Sequence, residues 1–150
     1  MTNLKQELFK LCVTYVSGRK TLLEQAIADA REASNNDTKS SAGDKYETGR
    51  EMMQQDIDMN QTRLNELGTM NLILEKIDIT NNSMVVIPGS IVQTTNGNYF
   101  IAISAGQLKS GNTSYYAISS VSPIGSKMMY QKVGYSFSLN GKEYTIKDIW

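Results

Sequence analysis

Residues 53–74 read MQQDIDMNQTRLNELGTMNLIL. Seven of these positions follow one another at alternating steps of four and three residues: Met53, Ile57, Asn60, Leu64, Leu67, Asn71 and Leu74. This is the heptad pattern of a helix that packs one stripe, its seam, against a partner helix. Asparagine in a seam lowers stability and sets the register of the pair, and we assign Asn60 and Asn71 that role. The pattern therefore predicts a long helix in a coiled coil.

The partner helix is predicted upstream, between Leu4 and Ala33. Its stripe has these members: Leu4, Leu8, Leu11, Tyr15, Gly18, Leu22, Ala26, Ile27, Ala30 and Ala33. Residues 34–43 contain no large apolar side chain and favour turns. Two helices of about 30 residues joined by such a segment fold back on each other. Residues 1–76 are therefore predicted to form an antiparallel hairpin roughly 45 Å long.

The composition changes after the second helix. Residues 1–75 carry a net charge of −3 and three aromatic residues, whereas residues 76–150 carry +3, nine aromatic residues and both prolines. The second half is thus suited to a sheet. Asn-Gly pairs at 96–97 and 140–141 predict two hairpins. The predicted strands are 90–95, 98–105, 114–119, 135–139 and 143–149.

One short helix is predicted to interrupt these strands. Ser122 is a suitable N-cap, and Pro123 suits the first helical position, where no backbone N–H is needed. The helix is expected to run through Met129. The predicted class is α+β: the hairpin over 1–76, a linker over 77–83, and a small antiparallel β domain with one short helix over 84–150.

Composition excludes several chemistries. The chain has no histidine, so it has no Ser-His-Asp triad and no Cys-His pair. With a single cysteine, Cys12, the chain can form neither an internal disulfide nor a cysteine-based zinc site. Cys12 lies in an apolar helical pattern, which predicts a buried thiol. Charged residues interrupt the N-terminal apolar run and no run approaches ~20 residues, so we expect a cytoplasmic protein with no membrane span. The net charge is zero, and without a basic stripe we expect no sequence-specific DNA binding.

The order of parts resembles a known family. A two-helix hairpin followed by a small sheet domain with a Ser-Pro-capped helix is similar to the bacterial Gre-type transcript cleavage factors. The most specific match is Ile118-Ser-Ser-Val-Ser-Pro-Ile-Gly125, followed by Lys132-Val-Gly134. Ala26-Ile-Ala-Asp-Ala-Arg-Glu32 is similar to the end of the family's first hairpin helix. The resemblance implies an FKBP-like C-terminal domain.

The resemblance also implies a function. Gre-type factors bind RNA polymerase and insert their coiled coil into its secondary channel. Carboxylates at the tip then help the polymerase's own Mg²⁺ ions cleave a backtracked transcript near the 3′ end of the nascent RNA. On this view the protein is not an enzyme and has no cofactor of its own, while Mg²⁺ of the polymerase active site takes part in the complex.

The expected site residues follow from the same resemblance. When Tyr46 is matched to the tyrosine that starts the family's second helix, the two acidic positions fall on Lys39 and Ala42. Asp44 and Glu47 have the required three-residue spacing, and Asp37 lies in the same loop, so these three are the candidate tip acids. The alternative for Asp44 and Glu47 is a capping box at the start of the second helix.

Ser122, Pro123, Ile124 and Gly125 are the candidate partner-binding residues, with a simple helix start as the alternative.

Three other functions remain open. A tip without metal-binding acids predicts a channel blocker that inhibits the polymerase. The C-terminal layout resembles prolyl isomerases in overall form, which allows an enzyme on weak grounds. The hairpin alone is compatible with a structural coiled-coil adaptor.

Overall fold

The computed structural model describes residues 2–37 and 43–150, and the side chains of residue 2 and residues 35–48 lie outside the description. Within these limits the fold is α+β, as predicted: two long helices that pack together precede a six-stranded sheet with one short helix. The elements are α1 (Thr2–Asp37), α2 (Gly43–Lys76), β1 (Ile91–Thr94), β2 (Gly97–Ala102), β3 (Gly106–Ser110), β4 (Thr113–Ser119), α3 (Pro123–Met128), β5 (Ser136–Leu139) and β6 (Lys142–Ile149).

The chain divides into two compact units. The helical unit is Val16–Asn71 and holds most of both long helices. The sheet unit joins Met1–Tyr15, the start of α1, to Leu72–Trp150. The start of α1 therefore belongs with the end of α2, as an antiparallel arrangement requires. Neither helix in the described part of the chain is long and apolar enough to cross a membrane.

The buried positions of the long helices only partly match the predicted stripes. On α2, Ile57, Leu67 and Leu74 are buried as expected, whereas Asn60 is half-buried and Asn71 is exposed. On α1 the predicted stripe is wrong at two positions. Leu22 is 72% exposed and Val16 is buried at 6%.

The correction on α1 has a geometric cause. The buried residues Leu8, Cys12 and Val16 follow steps of four. Steps of four run ahead of the 3.6-residue helical turn, so the buried face rotates away from the line through Tyr15 and Leu22. The thiol of Cys12 is fully buried, as predicted, and burial raises its pKa to about 12.

The sheet has the strand order β3-β4-β2-β1-β6-β5, and all neighbours are antiparallel except β2 and β4. Both predicted hairpins are present. The first turn is shifted by one residue, because Thr94 pairs with Gly97 and leaves Thr95 and Asn96 in the turn. The second turn is Asn140-Gly141, where both residues have positive φ, as a type I′ turn requires.

One strand was not predicted. β3 forms a hairpin with β4 around Gly111-Asn112, and its Leu108 is the buried residue of the strand. The parallel pairing of β2 with β4 follows from this insertion. β3 runs antiparallel to β4, so the chain reverses direction twice between β2 and β4, and β4 therefore runs parallel to β2.

The two faces of the sheet have different cover. The face next to α3 carries the main apolar cluster: Val86, Val92, Tyr99, Ile101, Met128, Phe137, Tyr144 and Ile146. The start of α1 lies by β3 on the other side, where the Ser110 hydroxyl donates to the Glu7 carboxylate at 2.8 Å.

Lys5 is buried at the start of α1, with 1% of its surface exposed. Its Nζ donates to the Asn81 carbonyl at 3.0 Å and to Oδ1 of Asn82 at 3.3 Å. Burial lowers the pKa of Lys5, and the nearby Asp78 carboxylate opposes that shift. The pKa of Asp78 is itself lowered, mainly because it accepts hydrogen bonds from the side chain and backbone of Thr80. Lys5 thus holds the segment 77–83 against α1.

Candidate functional site

The turn between β4 and α3 contains the most specific motif of the sequence. Ser122 adopts an extended conformation as the N-cap of α3, and Pro123 takes the first helical position, as predicted. The Ser122 hydroxyl donates to the Ser119 carbonyl at 2.7 Å and accepts from the Gly125 backbone N–H at 3.1 Å. One side chain therefore joins the end of the strand to the first turn of the helix.

Gly125 is the second residue that this turn requires. A Cβ at this position would lie 2.1 Å from the Ser119 carbonyl oxygen and 2.8 Å from Oγ of Ser122. Both distances are shorter than real Cβ contacts. The helix can approach the strand end this closely only because residue 125 has no side chain.

The four candidate partner-binding residues differ in what they present to the surface. Pro123 is exposed and Ser122 is half-buried. Ile124 packs against the apolar cluster of the sheet, and Gly125 is buried. The turn therefore offers a partner mainly Pro123, while the other three residues also serve the local structure.

Sequence reasoning missed the most exposed apolar residue of this turn. Val121 is 86% exposed and directly precedes the N-cap. The available signal was an apolar residue between two serines, in a segment that neither a strand nor a helix would bury. Val121 and Pro123 together form what we call the turn surface.

The candidate tip acids lie at the end of α1 and at the start of α2. Asp37 is the last residue of α1, and Asp44 and Glu47 fall in the first turns of α2. The side chains of all three lie outside the described residues, as do Lys39 and Ala42 altogether. Elsewhere, among the residues that are described, no group of three or more Cys, Asp or Glu side chains is placed to hold a metal ion.

Hydrogen bonds from Thr80 lower the pKa of Asp78, whereas burial is the main cause of the other pKa shifts described in the sheet unit. Burial is the largest cause for the raised pKa of Cys12 and for that of Tyr99, which reaches about 12.

Comparison of the chain with protein-family models, curated proteins and solved structures finds no match.

Proposed function

We propose that this protein is a Gre-like elongation factor that binds RNA polymerase and has no active site of its own. The sheet unit would dock on the polymerase through the turn surface, and the helical unit would enter the secondary channel. The observation that carries the proposal is the order of parts: paired helices of 36 and 34 residues, then a sheet whose one short helix begins at Ser122-Pro123. The proposal includes an FKBP-like form for the sheet domain, which the resemblance implies, and a cytoplasmic location.

The geometry of the turn gives each residue of the motif a structural role. Ser122 and Gly125 are needed together, because one bridges Ser119 to the helix and the other allows the close approach. The same turn leaves Val121 and Pro123 exposed for a partner.

The helix lengths also fit the proposed role. At 1.5 Å per residue, α1 extends about 54 Å and α2 about 51 Å. The two helices pack together over a narrow apolar seam and are polar on most other positions. A polar helix pair of this kind suits a water-filled channel, because insertion would not leave a broad apolar surface in water.

Within this proposal, Asp44, Glu47 and Asp37 would assist transcript cleavage. Carboxylate oxygens are ligands that Mg²⁺ prefers, and the chemistry itself would be that of the polymerase. One observation favours a second function, that of a channel blocker. The direct match to Tyr46 puts Lys39 and Ala42 where the family has its acids, and neither residue binds a cation.

Docking is tested with purified bacterial RNA polymerase in a pull-down. Val121→Glu places a charge on the turn surface and is expected to weaken binding about tenfold or more, because docking would bury a charge without a partner. Met84→Glu is the matched control, because Met84 is 87% exposed in the same unit but lies outside the turn. A wild-type protein that does not bind polymerase would refute both the cleavage factor and the blocker, and would leave the structural adaptor.

Cleavage is tested on backtracked elongation complexes with labelled RNA. Wild-type protein is expected to shorten the RNA, and Asp44→Asn with Glu47→Gln to abolish the shortening without loss of binding. Asp56→Asn with Glu66→Gln is the control, since it removes two exposed acids of α2 away from the tip. Binding without a change in RNA length would establish the blocker instead. An accelerated cis/trans rate on a proline peptide would favour the isomerase.

A further inference from the structure

Five aromatic rings form a connected row on the α3 side of the sheet. We call the aromatic row these residues: Tyr116, Tyr99, Tyr144, Phe137 and Tyr135. The ring centroids of Tyr116 and Tyr99 are 6.0 Å apart, and Tyr99 and Tyr144 belong to the same buried cluster. Phe137 stacks on Tyr144 at 5.0 Å and on Tyr135 at 6.1 Å.

Strand register places these rings on one face. Tyr99 of β2 is paired with Tyr116 of β4, and Phe137 of β5 is paired with Tyr144 of β6. Directly paired residues point to the same side of a sheet, as do alternate residues along a strand. The row therefore crosses the sheet from β4 to β5.

The row is packed in its middle and open at its ends. Tyr99, Tyr144 and Phe137 are each 8% exposed, so their rings mainly contact one another and the apolar cluster. Tyr116 is 44% exposed and Tyr135 is 37% exposed. Each outer ring thus has surface available to a ligand and a packed aromatic neighbour that holds it in place.

A lysine accompanies the row on each side. Lys109 shares its face with Gln107, whose side-chain amide donates to the Ser114 hydroxyl on the Tyr116 side of β4. At the other end, Lys142 is two residues before Tyr144 in β6 and therefore points to the same side. Both lysines are exposed.

This face has no opposing charge in the described strands. Residues 79–142 contain four lysines and no Asp or Glu. The two acids of β6 point the other way, because Glu143 is adjacent to Tyr144 and Asp148 pairs with Gln93, the neighbour of Val92. Lys109 and Lys142 therefore face no carboxylate on this side of the described strands.

We propose that the aromatic row, through its exposed end rings Tyr116 and Tyr135 and with Lys109 and Lys142, binds single-stranded RNA. Unpaired bases stack on aromatic side chains, and lysines neutralise the phosphates that link them. An acidic peptide would satisfy the lysines but would leave the exposed rings of Tyr116 and Tyr135 without planar partners. The choice of RNA over DNA rests on the proposed function, since the strand extruded by a backtracked polymerase is RNA.

Binding is measured by fluorescence anisotropy on the full chain with labelled oligouridylate of about ten nucleotides. Tyr116→Ala is expected to weaken binding about fivefold or more, because a stacked base contributes on that scale. Tyr116→Phe keeps the ring and is expected to remain within about twofold of wild type. Circular dichroism shows whether each variant is folded.

The lysines are tested through the salt dependence of the same binding. Lys109→Ala with Lys142→Ala is expected to lower the slope of log affinity against log salt by about 1.4, since each phosphate contact contributes about 0.7. Lys20→Ala on α1 is the control and should leave the slope unchanged.

Several results would overturn the inference. These are no binding at low salt, an unchanged affinity in Tyr116→Ala, equal competition by a polyglutamate peptide of the same charge, or tighter binding of oligothymidylate than of oligouridylate. The assay needs no polymerase, so it can fail while polymerase docking succeeds, and the reverse also holds.

Discussion

Leu67 in the helical unit and Ile101 in the sheet unit are both buried, at 6% and 0% exposure, but in different surroundings. Leu67 lies in a seam between two helices, where half-buried and exposed positions are its neighbours. Ile101 belongs to a cluster contributed by β1, β2, α3, β5, β6 and the segment around Val86. The helical unit thus depends on residues repeated along the chain, whereas the sheet unit depends on residues brought together from distant positions.

The largest expected effect of this difference is on the response to truncation. Ile101→Ala is expected to lower the free energy of unfolding by about 4 kcal/mol, because a fully buried cluster cannot collapse into the cavity. Leu67→Ala should cost about 2 kcal/mol, since a seam near solvent relaxes more easily. Urea denaturation, with hydrogen exchange to separate the units, measures both. Equal costs would remove the distinction between seam and cluster.

The close approach at Gly125 gives the next largest effect. Gly125→Ala is expected to lower the free energy of unfolding by about 3 kcal/mol, because the new methyl group meets the Ser119 carbonyl, a backbone atom that cannot rotate away. Thermal denaturation of the variant provides the measurement. A variant as stable as the wild type would show that α3 can shift from β4 without cost.

Tyr99→Phe tests the packed middle of the aromatic row. At neutral pH it should cost about 1 kcal/mol, because the Tyr99 hydroxyl donates to the Asn96 carbonyl at 3.0 Å. Burial first, and then Tyr144 and Tyr116, raise the pKa of Tyr99 from 10.0 to about 12.

The raised pKa fixes the sign of the pH dependence. The folded state keeps the phenol proton where the unfolded state loses it, so this stabilisation is complete below pH 10 and is lost as pH rises towards 12. The stability gap between wild type and Tyr99→Phe should therefore shrink across that range in pH-dependent denaturation. A gap that widens would contradict the assignment.

The smallest expected effect is a gain. Gly68 lies inside α2, and a Cβ there would meet nothing within 4 Å. Gly68→Ala is therefore expected to stabilise the helical unit by about 0.5–1 kcal/mol, through the higher helix propensity of alanine. Hydrogen exchange of α2 amides is the measurement. A loss of stability would mean that a methyl group at position 68 is crowded, as it is at Gly125.

Local signals predicted much of the fold. The heptad spacing of Ile57, Leu67 and Leu74 predicted α2, and Asn140-Gly141 predicted the second hairpin. The strand β3 was missed although Gly111-Asn112 is a recognised hairpin signal, because Leu108 is the single large apolar residue of that strand. The rotation of the α1 stripe could not be read from spacing alone, since Leu22 and Leu23 are equally apolar and only the partner surface decides between them.

Of the two candidate sites, the sequence revealed the one formed by neighbouring residues and not the one assembled by folding. Ser122 and Pro123 were recognised because capping is local. The aromatic row was not, because its members come from β2, β4, β5, β6 and the residue before β5, which share one sheet only after folding. The signal that remained in the sequence was an excess of aromatic residues and an absence of acids over residues 79–142.

The single thiol of Cys12 has a practical consequence for labelling. It is fully inaccessible in the folded chain, and its pKa of about 12 leaves almost none of it as the reactive thiolate at neutral pH. A maleimide dye should therefore react only with a cysteine introduced by design, such as Leu22→Cys on the exposed side of α1. Native Cys12 can be left in place when the helix pair is tracked by energy transfer.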